Sequence, residues 1–139
     1  MIPVDALQAA IRARLLADPV VSQHVAPHHV RVGTVRPVQL PAIMIAPTRS
    51  EILGRASGGQ IVAEVSLMLH VWASTQNDLN AAQDIGAAAF VAMLDAPAAA
   101  GFAFDSWERP HMVWSDQSTG IGNAVHGAIN LRTVIRWRD

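Results

Sequence analysis

The sequence predicts an α+β domain, a mainly antiparallel or mixed β-sheet with two helices packed on one face, in the order α-β-β-β-α-β-β. Three observations carry this. Ile61–Ala73 and Ala124–Arg138 alternate apolar and mixed residues with period two, the signature of long strands with one dry face. Val4–Ala17 and Asp78–Leu94 instead repeat apolar residues at helical spacing. The order of these segments is not a regular βαβ alternation, which argues against a parallel α/β fold. At 139 residues the chain reads as one domain spanning positions 1–139. A domain of this size buries about two thirds of the surface its unfolded chain exposes, so it needs no metal or disulfide to fold.

The elements follow in order. In the first helix Leu7, Ala10, Ile11 and Leu15 share a face, while Pro3 and Asp5 suit its N-terminal end. Asp18-Pro19 reads as an N-cap followed by proline at N1, opening a short helix over Pro19–His24 that Pro27 ends. Val30–Val35 and Leu40–Ala46 are short strands. Pro37, Pro41 and Pro47 bracket them, so they should be sheet edges or stop at the prolines. Thr48–Gln60, with three glycines and no sustained period, reads as an exposed hairpin or long loop. Ile61–Ala73 is the clearest strand. Ser74–Asn77 is a turn and cap before the alanine-rich helix Asp78–Leu94, which Pro97 stops. Phe102–Trp114 is a strand broken near Arg109-Pro110, Ser115–Gly122 is a turn, and Ala124–Arg138 closes the chain.

Composition narrows the function. Hydrophobic residues make up 51% and charged residues 15%, below the usual charged share of about 25%, so the chain is not disordered. Apolar surface is left over for burial against a partner. A net charge of −1 speaks against a nucleic-acid-binding module held by charge alone. The absence of cysteine excludes disulfides, thiolate metal sites and a cysteine nucleophile. No apolar run is long enough to span a membrane, and the N-terminal residues lack the basic and apolar regions of a secretory signal, so the expectation is a soluble protein.

No catalytic motif emerges. His24, His28 and His29 cluster in a proline-punctuated stretch without a neighbouring carboxylate, which reads as an exposed connector and not as a metal site. His70 and His126 occupy the mixed faces of the two long strands and become neighbours if those strands pair. Glu64 and Glu108 are candidate carboxylates that nothing in the sequence brings together. Gly54, Gly58 and Gly59 do not form a phosphate loop, and Gly120-Ile121-Gly122 precedes a strand instead of a helix. The expectation is therefore no catalytic residue, no metal and no cofactor. Trp137 lies on the apolar face of its strand and reads as core. Trp72 lies on a mixed face and is a candidate interface residue. Arg132, Arg136 and Arg138 form a basic stripe on the last strand, suited to carboxylates across a subunit boundary, to nucleic-acid phosphates or to a solvated face, and the net charge of −1 favours the first over the second.

Taken together, several segments resemble the tail-terminator, or tail completion, proteins of long-tailed phages and gene transfer agents. They are the opening helix ending Leu15-Leu16-Ala17-Asp18-Pro19 and the proline-bounded Leu40-Pro41-Ala42-Ile43-Met44-Ile45. His70-Val71-Trp72-Ala73-Ser74 follows, leading to the alanine-rich helix Asn80–Leu94. The last is Thr119-Gly120-Ile121, leading to Leu131-Arg132-Thr133-Val134-Ile135-Arg136-Trp137. The resemblance covers nearly the whole chain and lies in order and spacing. It implies a non-enzymatic virion subunit, assembled in the host cytoplasm. Such subunits form a ring, usually a hexamer, at the head-proximal end of the tail tube in the neck region. The ring ends tube polymerisation and meets a head-side connector or stopper protein, and DNA passes through its lumen without sequence-specific binding. Partners would be the chain itself, the tube protein and the connector, with no membrane. The family's long loop makes Arg49, Glu51, Ile52, Leu53 and Arg55 candidate assembly residues, joined by Trp72, Arg132 and Arg136. The competing reading is a small ligand-binding or enzymatic α+β domain, whose polar groups would have to converge on a pocket.

Overall fold

The computed structural model describes residues 2–33, 37, 39–74, 79–116 and 124–139. Helix α1 (Val4–Ala17) buries Leu7, Ile11 and Leu15, one residue per turn of a single stripe. The Asp18 carboxylate accepts from the backbone N–H groups of Val20 (2.9 Å) and Val21 (3.1 Å), capping α2 (Pro19–His24) as the Asp-Pro pair predicts. Two arginines of α1 lace the domain together through backbone carbonyls. Arg12 donates to Val30 (2.7 Å) and Pro27 (2.9 Å). Arg14 donates to Ala92 (3.3 Å) and Ala96 (3.0 Å), at the C-terminal end of α3 (Leu79–Ala92), where unpaired carbonyls favour a cation.

The six strands are β1 (Val30–Val32), β2 (Ala42–Ala56), β3 (Gln60–Ser74), β4 (Ala103–Trp107), β5 (His111–Asp116) and β6 (Ala124–Arg138). They form one sheet in the order β1-β2-β3-β6, with β4 and β5 lying end to end along the outer edge of β6. β1 runs parallel to β2, and every other pairing is antiparallel. The sheet is therefore mixed, within the predicted class. β4 and β5 are the two halves of the interrupted strand, and the break falls at Glu108-Arg109-Pro110. The N–H of Glu108 still reaches the carbonyl of Arg132 (3.0 Å), so the edge resumes after the proline.

The odd-numbered residues of β3 and β6 form the dry face. Val65, Leu67, Leu69, Val71, Ile129, Leu131 and Ile135 pack with Ile43 and Ile45 of β2 beneath α1, α2 and α3. Buried Thr133 is satisfied by the carbonyl of Ser106 (2.6 Å). Trp137 is core, as predicted. The even-numbered residues, from Glu64 to Trp72 and from His126 to Arg136, occupy the opposite, half-buried face.

One expectation needs revision. The strand predicted at Leu40–Ala46 does not stop at Pro47 but continues to Ala56; of the two readings of Thr48–Gln60, exposed hairpin or long loop, the hairpin holds, with its strands paired around a tight turn at Ser57–Gly59. Among the described residues β1 pairs with β2 only as far as Ile45, so at Pro47 β2 has no strand beside it on that edge, where a missing N–H is tolerated. Register shifts between Pro47 and Arg49 and between Ile52 and Gly54 mark two bulges that scramble the alternation and mask the strand from a period-two reading. Gly58 and Gly59 turn the chain with φ of 78° and 79°, the left-handed region that glycine enters freely. Of the predicted strand Val30–Val35, only Val30–Val32 falls as strand within the described residues, and Asp78 and positions 117–122 lie outside them.

Candidate functional site

The outer half of β2 is left uncovered, while β3 beside it stays buried in alternation down to Ala63 and paired to β6 down to Gln60. β2 is buried throughout Ala42–Ala46 and exposed from Pro47 to Arg55. Ile52 and Leu53 leave 61% and 53% of their surface in water. Each would be stabilised by about 1–2 kcal/mol if a partner covered it. Arg49 and Glu51 pair beside them at 2.9 Å, both exposed, and Arg55 stands on the same strand. Five of the predicted assembly residues therefore share one exposed stretch of β2.

The three others lie on the even face of the sheet. Register places Ser66 opposite Arg132 and Val62 opposite Arg136. Arg132 donates to Glu64 at 2.9 Å and stands 3.7 Å from Glu108, so strand pairing joins the two carboxylates that sequence alone could not connect. The hydrogen bond to Glu64, then the charges of Glu64 and Glu108, push the Arg132 guanidinium pKa further up. Arg136 donates to Asp105 through Nε at 2.6 Å. The basic stripe is thus threaded with acids of the same chain, and its field is largely cancelled.

Trp72 stacks on His126 with ring centroids 4.2 Å apart and 20° between planes. His126 and Trp72 are cross-strand partners, and His70 sits diagonally. His70 Nδ1 lies 2.7 Å from His126 Nε2, a hydrogen bond that needs one nitrogen protonated and the other bare. Burial lowers both histidine pKa values, and the charge of His70 lowers that of His126 further. The hydroxyl of Ser115 lies 3.2 Å from His126 Nδ1 and also donates to the carbonyl of His126 (3.3 Å).

The remaining histidines do not converge on a centre. His28 and His29 meet edge to face, and His29 Nε2 pairs with Gln39 at 2.9 Å. Among the described residues no group of three or more His, Asp or Glu is placed to hold a metal ion. A cavity of about 160 Å³ between α2, α3 and the end of β3 is lined mainly by apolar atoms of Leu40, Pro41, Ala73, Ala82 and Ile85, with His24 and Ser74 at its wall. No helix among the described residues is long and apolar enough to cross a membrane.

A second apolar feature escaped the sequence reading. Gln83, Ala87 and Phe90 of α3 and Met112 and Trp114 of β5 line an open groove. The Trp114 ring lies over Gly86 of α3 and Gly127 of β6, and a Cβ at Gly86 would stand 2.3 Å from it. Glycines inside a helix and inside a strand, both on core-facing stripes, were the available signal for that close approach.

A profile of the family described as Tail completion protein gp17 matches residues 9–136. The chain belongs to that family. Its fold is shared with a chain from the virion of a native gene transfer agent particle, at a TM-score of 0.64 and 16% identity over 96% of each chain. No curated protein matches the sequence. Family membership gives this tail completion protein a structural role in a phage-type tail, consistent with a surface built from exposed apolar residues and internally paired charges.

Proposed function

We propose that the chain is a ring subunit that closes the head-proximal end of a tail tube, stops its polymerisation and presents a surface to a head-side connector, with DNA passing through the ring. The exposed outer half of β2 carries this reading. It spends nine residues, Pro47 to Arg55, and two bulges on holding Ile52 and Leu53 away from the chain's own core. Such a feature is costly for an isolated monomer and useful in an assembly. A strand ladder that runs to Ala56 and Gln60 fixes this stretch against β3, which β6 backs along its whole length. Self-association into a homohexamer, contact with tube protein and a place in the tail neck follow from the same reading. So do assembly roles for Arg49, Glu51, Arg55, Trp72, Arg132 and Arg136. No cofactor and no catalytic step are part of it.

Light scattering over a concentration series, with negative-stain imaging and with and without purified tube protein, tests the proposal. Rings of about six subunits, or tubes capped at one end when the protein is added, are the expected results. A strict monomer that leaves tube growth unchanged would overturn it.

A further inference from the structure

We infer that the tip of the β2–β3 hairpin docks into the α3–β5 groove of a second copy of the chain, head to tail. This rests on the ring-subunit reading and names the contact that would build the ring. The tip offers Ile52 and Leu53, both more than half exposed. Leu53 falls within the register shift between the Ile52–Ala63 and Gly54–Val62 pairs, so it stands apart from the ladder. The groove offers the complementary surface, Ala87 and Phe90 on one wall and Met112 and Trp114 on the other, with exposed Val91 nearby on α3.

The two features cannot meet within one chain. Ile52 pairs with Ala63, whereas Trp114 pairs with Gly127, which lies opposite Val71. From Ala63 to Val71 is about 26 Å along the strands, and from β2 to β5 is about 14 Å across them. The tip and the groove therefore sit at opposite ends of the sheet. Each can be filled only by another molecule.

Charge favours the same pairing. Arg55, next to the tip, has no ion-pair partner among the described residues. Asp84 is the only charged residue of α3 and is likewise unpaired; it lines the neighbouring α2–α3 groove with Val91, next to Gln83 and sharing Ala87 with the α3–β5 groove. A cation beside the knob and an anion beside the hole set the direction of docking. Because the contact uses two different patches, an open series keeps one free tip at one end and one free groove at the other until it closes on itself. A two-fold contact would stop at a dimer.

The chain has no cysteine, so introduced thiols report cleanly. The Leu53→Cys/Ala87→Cys variant, oxidised under conditions where rings form, should give a ladder of covalent multimers, while neither single variant gives one. Arg55→Asp and Asp84→Arg should each raise the concentration for half-assembly by about fivefold, and the combined swap should restore it. Rings that form without the double-cysteine ladder would overturn this contact while leaving the ring reading intact. Dimers from Leu53→Cys alone would place tip against tip and also overturn it. Failure of the charge swap to rescue, or capture of tube protein by the Leu53 thiol in place of a second copy, would do the same. A chain that stays monomeric even with tube protein overturns both readings.

Discussion

The two ends of β2 are one continuous strand in two environments. Ala42–Ala46 is buried, with Ile43 and Ile45 fully enclosed, while Ile52 and Leu53 a few residues later stand in water. Ile52 and Leu53 are apolar like Ile43 and Ile45, although Thr48, Arg49, Ser50, Glu51 and Arg55 surround them, and the pairing to β3 is unbroken apart from two bulges. What differs is cover. The first end lies under the helices and beside β1, whereas the second has neither. Burial is therefore a property of what packs against a strand, and an apolar side chain on the uncovered end is available to a partner.

The largest effect that would break this comparison comes from the covered end. Leu67→Asp places an unpaired charge beneath the helices and should unfold the protein, a loss of several kcal/mol seen as absence of a cooperative thermal transition. A normal transition would mean that the dry face is wrongly assigned. Gly86→Ala should come next. Alanine favours a helix by about 1 kcal/mol over glycine, but the new methyl must displace the Trp114 ring at a cost of about 1–3 kcal/mol, so the clash wins. A variant that is more stable in urea would show that the ring moves freely.

Asp18→Ala removes the cap of α2 and should lower stability by about 1 kcal/mol, readable as a shifted urea midpoint with an unchanged slope. The histidine pair gives a pH dependence of smaller size. Both folded-state pKa values lie below the ordinary value of 6.5, so the unfolded chain binds protons first. Their contribution is complete above pH 6.5 and is lost as pH falls from there through the lowered folded values. A His70→Gln/His126→Gln variant should flatten the stability difference between pH 7.5 and pH 5. An unchanged slope in that variant would assign the acid sensitivity to other groups. At the bottom of the scale, Ile52→Asp on the exposed half of β2 should change monomer stability by no more than about 0.5 kcal/mol while impairing assembly. Equal damage to the fold would show that this half belongs to the core.

The sequence was most legible where a local rule and the tertiary environment agree. Leu7, Ile11 and Leu15 announce their helix, Asp18 announces its cap, and the odd residues of β3 and β6 announce their dry face because helices cover that face along most of its length. Legibility failed in β2. Its bulges break the period, and its far end has no cover to select apolar against polar residues, so strand and loop look alike. The groove wall was hidden for another reason. It depends on Trp114 of an edge strand crossing β6 to reach α3 above Gly127 and Gly86, a meeting of three segments distant in the chain.

Sequence alone determined the class, the helix stripes, the two long strands, the broken edge strand and the resemblance to tail completion proteins, since period, caps and prolines act over neighbouring residues. Tertiary structure alone decided that Glu64 and Glu108 share Arg132, that Trp72, His126 and His70 form one stack, and that the glycine-rich stretch is a hairpin and not a long loop. Each of those outcomes depends on register between strands. A shift by one residue would carry every side chain to the other face, and no local pattern in β2 or β4 specifies which register is taken.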